Sequence, residues 1–509
     1  MSDLSGFSQL GRNLIVSWGA QGFVLIAGFI VPRQISDSLG QEALGIWDLG
    51  WATLRYLTLA NFGVGTALSR NVALYRAEGN TEALSRTTTI VSVWQLFIAL
   101  FTTIAAVVLS SAIVYWVDFT DTHTADTAKT VMLMLGLTLA VKMLANPAGG
   151  LITGCHRWDI QHSINAGQDI VIAFVLISML VFDAQLIHLA YAVFGIGILT
   201  ACTRIAFARW LCPEVKIQLK LWQTSQALEL LRFGVKTLVN MASNVLVYQT
   251  VAILLAGLAG PAALAVFTRG VALVRHAQQL VTKAADMFMP ITSSLIGLDR
   301  REEVIRLLVD IGRYGLCLSL PMMLGLFAFG DVFLSLWMGE GYADPKMMMV
   351  LAVGAIVPSS QLGTMNVLTG LNAHGKVAIY ILITTAITLA ASVAIAQVLS
   401  WSPLTAAMVV GACLTIGRGL VIPLFLKSRF KISLLSYFWR TLITPLFFNV
   451  PLMAALWAAR WAWEMENWPV FIGTALVGGL ATAFIYWNWV LPVPVRESIK
   501  KRITRGAAV

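Results

Sequence analysis

Residues Ser38–Leu57 read SLGQEALGIWDLGWATLRYL, and Leu258–Ala277 read LAGPAALAVFTRGVALVRHA. Laid over each other without a gap, they agree at Gly40/Gly260, Ala43/Ala263, Leu44/Leu264, Gly50/Gly270, Ala52/Ala272 and Arg55/Arg275. Both stretches are apolar enough for a membrane, and each carries an arginine at the same place. A guanidinium at mid-bilayer is costly unless it faces protein, water or a ligand. One such group in each half predicts two helical bundles facing a shared, cationic central cavity. That is how a transporter is organised.

Composition agrees. Of 509 residues, 58% are hydrophobic and 12% charged, and the mean hydropathy is +0.79. Soluble domains carry roughly 25% charged residues, so this is a polytopic membrane protein and not a globular domain on one anchor. Hydropathy predicts an all-α chain of about 14 transmembrane helices, each with about 20 apolar residues. They fall near residues 13–32, 45–68, 89–116, 130–152, 161–181, 184–206, 232–256, 262–283, 303–329, 346–369, 376–398, 404–426, 441–461 and 469–491.

Basic residues set the orientation. Arg12, Arg70, Arg76, Arg86, Arg157, Arg209, Arg300, Lys427, Arg440 and the tail Lys500–Arg505 share one side, whereas the other holds Arg33, Lys129, Lys346 and Arg460. Asp118, Asp121, Asp126, Asp331, Glu340 and Asp344 lie on that second side. The positive-inside rule places both termini in the cytoplasm. It also accounts for the net charge of +10, so no nucleic-acid partner is implied. The first apolar stretch lacks a small-residue cleavage site and reads as helix 1 of the mature protein. Cys155, Cys202, Cys212, Cys317 and Cys413 form no C-x-x-C pair and read as small apolar fillers, with no disulfide framework or metal site.

The repeat maps helix 2 onto helix 8, six spans on, so the second copy enters from the same side as the first. The expected division is an N-lobe at 1–209 (helices 1–6), a cytoplasmic linker at 210–231, a C-lobe at 232–430 (helices 7–12), and helices 13–14 with a basic tail at 431–509.

Polar residues within the spans are the candidate site. Arg55 lies roughly 15 Å into its helix, counted at 1.5 Å per residue, with Asp48 two turns earlier on the same face. Helix 8 carries Arg275 and Gln279 on one stripe, and Arg269 and His276 on another. A helix this basic cannot face acyl chains, and it reads as a wet, ligand-binding face, the alternative being a purely structural buried network; Asn244 of helix 7 either lines that cavity or bridges helices by hydrogen bonds. Lys142 and Asp169, in helices 4 and 5, read as an ion pair, with proton or cation coupling at Asp169 the alternative. Pro358, followed by Ser359, Ser360 and Gln361, predicts a kink in helix 10. Pro445, Asn449 and Pro451 interrupt helix 13. Tryptophans at span ends, among them Trp337, Trp461 and Trp468, read as the interfacial belt.

The run from Leu39 to Arg86 resembles the signature of polysaccharide-export flippases (O-antigen and exopolysaccharide) of the multidrug/oligosaccharidyl-lipid/polysaccharide, or MOP, superfamily. The matching residues are Leu39-Gly40, Gly45-Ile46-Trp47, Phe62-Gly63, Arg70 and Ala77-Glu78-Gly79-Asn80. Phe233-Gly234-Val235-Lys236 through Gly260 is similar to the family's second repeat, and Gly154–Asn165 to the corresponding loop. The resemblance implies a V-shaped fold of two six-helix lobes with alternating access, in a bacterial inner membrane. It also implies an undecaprenyl-pyrophosphate-linked oligosaccharide as substrate, with polysaccharide polymerase and export machinery as partners. The fourteen-helix count resembles lipid II flippases, whose last two helices are thought to guide the lipid tail.

The residues fit that chemistry by themselves. Pyrophosphate calls for basic donors, and arginine binds phosphate oxygens in a bidentate manner. No catalytic residue and no cofactor is expected, and coupling to H+ or Na+ stays open. Two alternatives stand beside this reading. A cation-coupled multidrug exporter favours acidic, hydrophobic cavities, and a membrane polysaccharide polymerase or ligase typically needs a large outer loop. The longest loop on that side, around Val117–Lys129, is too short for one.

Overall fold

The computed structural model describes residues 3–61, 64–285, 300–371, 373–462 and 467–490, together with 288, 292, 295, 296, 298, 496 and 497. Phe62-Gly63 and the tail Lys500–Arg505 lie outside the described residues, as do the side chains of Arg12 and of residues 231–237. Every described element is helical. Among the described residues ten helices are long and apolar enough to cross a membrane, or eleven if the bent pair Leu434–Phe448 and Val450–Ala462 is one span. The chain is an all-α, multi-pass membrane protein. That count differs from fourteen partly because Met241–Lys283 is one helix of 43 residues, where the sequence predicts two spans. At 1.5 Å per residue it runs about 65 Å, twice the hydrocarbon core.

It is not straight. Helix α1 (Asp3–Leu57) and helix α7 (Thr224–Ala285) each break at one glycine: Gly40, with φ 89° and ψ 170°, and Gly260, with φ 88° and ψ 164°. Positive φ with extended ψ is open only to glycine without strain. These are the paired glycines of the sequence repeat, so what recurs is a backbone conformation. Pro261 then opens the second arm of α7, where its missing N–H is no loss. A Cβ on Gly45 would sit 1.8 Å from the Pro261 carbonyl oxygen. The second arm of α1 therefore meets α7 backbone to backbone.

Two compact units, Met1–Ala265 and Val266–Val509, are described in turn. The first continues with α2 (Val64–Ala77), α3 (Thr81–Ala112), α4 (Thr122–Gly154), α5 (Trp158–Val181) and α6 (Leu186–Leu211). The expected continuous helix at 45–68 is broken here. After Leu57 the backbone tightens into a 3-10 turn, Thr58–Asn61, and α2 starts at Val64. Thr58 ends the arm by donating its hydroxyl to the Arg55 carbonyl at 2.6 Å. Gln95 of α3, fully buried, donates to the Asn61 side chain. Helix α4 is the most buried span of this unit and α5 the least. Gly136 packs on Ala106, Gly150 on Leu68 and Gly154 on Val72. Such small residues let membrane helices approach closely enough for dispersion to hold them.

The segment after α6 is strapped along α3. Lys216 N donates to Ser85 Oγ at 3.1 Å, and Gln218 N to Thr89 Oγ1 at 3.2 Å. Gln226 Nε2 donates to Thr87 Oγ1 at 2.8 Å. The buried Ser85 and Thr89 thus supply acceptors to backbone donors that no helix serves.

The second unit holds α8 (Arg301–Met338), α9 (Pro345–Ser359), α10 (Leu362–Gly370), α11 (His374–Leu399), α12 (Pro403–Leu414) and α13 (Val421–Phe430). After these come α14 (Leu434–Phe438), α15 (Thr444–Phe448), α16 (Val450–Ala462) and α17 (Trp468–Ile485). Helices α9 and α10 are the expected helix 10, interrupted at Ser360-Gln361 just past Pro358. Ser359 donates to the Ala355 carbonyl and Ser360 to that of Val357. Gln361 Nε2 donates to Ser360 Oγ at 2.7 Å, and the Tyr437 hydroxyl of α14 donates to Gln361 Oε1 at 2.8 Å. The groups freed by the break are satisfied within the protein. The break between α15 and α16 follows the same logic, with Asn449 Nδ2 donating to the Pro445 carbonyl and the Tyr486 hydroxyl.

Helices α16 and α17 are fastened to α8 at one end. Arg460 Nη1 and Nη2 donate to Asp331 Oδ1 and Oδ2 at 2.9 and 2.8 Å, and Nη1 also reaches the Ala328 carbonyl. Phe333 of α8 stacks edge-on against Trp468 and Phe471, with centroids 5.5 and 5.6 Å away. This pairing explains why Arg460 is tolerated among acidic loops, and Trp468 is a packing residue as well as a belt residue. Arg460→Ala leaves Asp331 enclosed without its counter-charge and is expected to cost about 1–3 kcal/mol. Partial exposure of Arg460 keeps the value at the lower end. Thermal unfolding in detergent across the cycle Arg460→Ala, Asp331→Ala and the double variant checks this, and additive losses would show that the pair does not couple.

Candidate functional site

Four ionisable side chains gather in the bundle of the first unit: Arg55 in the last turn of α1, Lys142 on α4, Asp169 on α5 and Arg204 on α6. Lys142 lies within electrostatic reach of Arg204, Asp169 and Arg55, and Arg204 within reach of Asp169. Asp169 thus faces two cations, Lys142 and Arg204, with Arg55 on the far side of Lys142. Arg204 is 6% exposed. Its Nη2 donates to Asn165 Oδ1 at 2.5 Å, and the same oxygen accepts from Gln161 Nε2 at 3.3 Å. The Arg204 Nε is buried with no acceptor among the described residues. Arg55 and Lys142 are exposed and Asp169 half-buried. The set therefore runs from accessible to enclosed.

The sequence pairs Lys142 with Asp169 and gives Arg204 no role of its own. The signal was present: Arg204 interrupts the apolar run Leu199–Phe207, but so near a span end that a topological role sufficed. Tyr56, beside Arg55, bonds the Thr250 hydroxyl and holds the α1 arm to the first arm of α7. Asn244 on that arm and Asp48 on α1 are half-buried.

The second unit has its own basic set, all on the second arm of α7. Arg269 is 8% exposed, Arg275 and His276 are half-buried, and Gln279 is exposed. The His276 side chain is hydrogen-bonded with Gln279 and lies within electrostatic reach of Arg275 and Arg269. Gln278 Nε2 donates to Ser359 Oγ at 3.2 Å, which ties this arm to the break between α9 and α10. The structure thus brings Arg269, Arg275, His276 and Gln279 together. Chemically, both sets offer fixed N–H donors and positive charge in apolar surroundings, the requirements for an anionic group. Among the described residues no three His, Cys, Asp or Glu are placed to hold a metal. Cys155 and Cys212 carry free thiols whose sulfurs lie 2.8 Å apart.

Solved structures share this fold. Over 93% of this chain and 99% of theirs, the coordinates of the lipid II flippase MurJ in an inward closed conformation superpose with a TM-score of 0.70 at 14% identity. An inward-facing multidrug resistance MATE family transporter of the MOP superfamily gives 0.67 at 15% identity, over 83% and 98% of the two chains. A MOP superfamily transporter from Pyrococcus furiosus, described as having a binding pocket of reverse polarity, gives 0.58 at 14% identity, over 84% and 96%. No curated protein matches by sequence. The profile of the family described as polysaccharide biosynthesis protein matches residues 10–296. Spanning more than half of the sequence and the break-and-arginine repeat with it, that match makes the chain a member of the polysaccharide biosynthesis protein family.

Proposed function

We propose that this protein is a flippase, not an enzyme. It carries an oligosaccharide linked to undecaprenyl pyrophosphate across the bacterial inner membrane, by alternating access, for exopolysaccharide or O-antigen synthesis. The observation that carries the reading is the buried Arg204, whose Nε has no acceptor among the described residues, beside Lys142 and Asp169 in the unit-one bundle. Positive charge that exceeds its counter-charge inside a membrane bundle is stabilised when an anion arrives. The unshared Nε of Arg204 offers a phosphate oxygen a donor already in place. On α7, Arg269 and Arg275 supply further positive charge beside His276, and Asn244 and Gln279 supply the amides that sugar hydroxyls need. Both termini lie in the cytoplasm in this reading. A polymerase and export machinery take over the product. Asp169, between Lys142 and Arg204, is the group through which H+ or Na+ would couple.

The nearest competitor in this fold is a cation-coupled multidrug exporter, and the multidrug transporter superposition favours it. An excess of cations argues against a cationic drug as cargo. Deleting the gene and extracting lipids decides between the two. The flippase reading expects a lipid-linked glycan to accumulate, identifiable by mass spectrometry, with polymer lost. Unchanged lipids with raised drug sensitivity would instead establish the exporter.

A further inference from the structure

Three helices of the first unit finish at one place. Cys155 caps α4, Cys212 caps α6, and Arg76 lies in the last turn of α2. The two sulfurs are 57 residues apart in sequence and 2.8 Å apart in space. Arg76 Nη1 donates to the Cys155 sulfur at 2.7 Å, and its Nε lies 3.4 Å from a Glu214 carboxylate oxygen. Cys212 is buried and Cys155 partly exposed.

Thiols that only fill space do not place a guanidinium on one sulfur. The hydrogen bond from the Cys212 thiol and the charge of Arg76 hold the Cys155 thiol below its ordinary pKa, against the opposing effect of burial. The same hydrogen bond and burial push Cys212 up. The thiolate is the reactive form of cysteine. A low-pKa, accessible thiol beside a resolving thiol is how redox-responsive cysteines are built.

We infer that Cys155 and Cys212 are a hydroperoxide-sensitive thiol pair that closes to a disulfide between the ends of α4 and α6. The Cys155 thiolate attacks one oxygen of a hydroperoxide. The O–O bond breaks, Cys155 becomes a sulfenic acid, and the alkoxide or hydroxide leaves with the proton that Cys155 gave up. The Cys212 sulfur then attacks the sulfenic sulfur. The S–S bond forms, the S–O bond breaks, and hydroxide takes the Cys212 proton to leave as water. Two electrons pass from the thiols to the peroxide. The bond fixes to α4 the first residue of the segment strapped along α3.

The test uses the full-length protein in detergent with hydrogen peroxide, then alkylation, trypsin and mass spectrometry. Cys155 falls in the peptide Met143–Arg157 and Cys212 in Trp210–Lys216. The two should appear linked, two hydrogens lighter than their sum, and separate with dithiothreitol. The linked species should be absent from Cys155→Ser and Cys212→Ser. Arg76→Gln should slow its formation about tenfold near neutral pH, through loss of thiolate. Both peptides fully alkylated after peroxide, or Cys155 joined to another cysteine, would overturn the inference. The parent protein alone gives that answer, so no variant needs to fold for the test to count.

Discussion

Arg55→Ala and Arg275→Ala, made singly, are each expected to abolish polymer export while the protein accumulates at its normal level. Arg55 is exposed and Arg275 half-buried, so neither is a core-packing residue. The cost falls on the ligand. Removing one partner of a desolvated charge pair typically loses about 2–5 kcal/mol. At 1.4 kcal/mol per tenfold, that is roughly a 30- to 4000-fold loss. Arg→Lys keeps the charge and gives up the planar fork, so it should rescue only partly if bidentate contact to phosphate matters. The measurement is polymer yield in a deletion strain carrying each variant, with protein level and lipid-linked precursor followed in parallel. Normal export from both alanine variants would remove these arginines from the mechanism. Arg204→Ala extends the series with a different signature, because it also removes a buried hydrogen bond to Asn165 Oδ1 and leaves only that from Gln161, so protein yield should fall along with export.

Those arginines were legible because the membrane makes an intramembrane charge expensive and a repeat makes it non-accidental. The same economy exposed Gly40 and Gly260: only glycine accepts φ near +90° with extended ψ, so the pair had to recur wherever the backbone did. Pro358 announced the break between α9 and α10 for a comparable reason, since proline cannot donate to the helix ladder. What escaped were features that leave no periodic trace. The break at Thr58–Asn61 lies in a stretch with neutral or apolar side chains, where hydropathy runs on unchanged. Arg204 sits close enough to a span end to pass for a topological charge, and its buried bond to Asn165 is tertiary. Cys155 and Cys212 each look like an isolated small residue. Only the convergence of α2, α4 and α6 gives them a chemistry.

Gly45→Ala is the substitution with the largest expected effect on folding, although an alanine in a helix is ordinarily an improvement. A Cβ at residue 45 would lie 1.8 Å from the Pro261 carbonyl oxygen, 2.3 Å from its carbon and 2.9 Å from its Cα. All three are backbone atoms, so no side chain can swing aside, and one helix must move from the other. Overpacking against side chains costs typically 1–3 kcal/mol, and a backbone clash belongs above that range, about 3 kcal/mol or more. Two glycines on the same helix separate this cause from others. A Cβ on Gly40 meets nothing within 4 Å, but its φ of +89° is strained for any L residue, so Gly40→Ala should cost about 1–3 kcal/mol through the backbone alone. Gly28 has neither obstacle, and Gly28→Ala should be neutral, or gain up to about 1 kcal/mol from helix propensity. The three variants should therefore rank 28, 40, 45 in rising loss of monodisperse yield and thermal midpoint in detergent. A Gly45→Ala protein with the parent's yield and midpoint would mean that the two helices do not touch there. The close approach of α1 to α7 at Pro261 would then have to be abandoned.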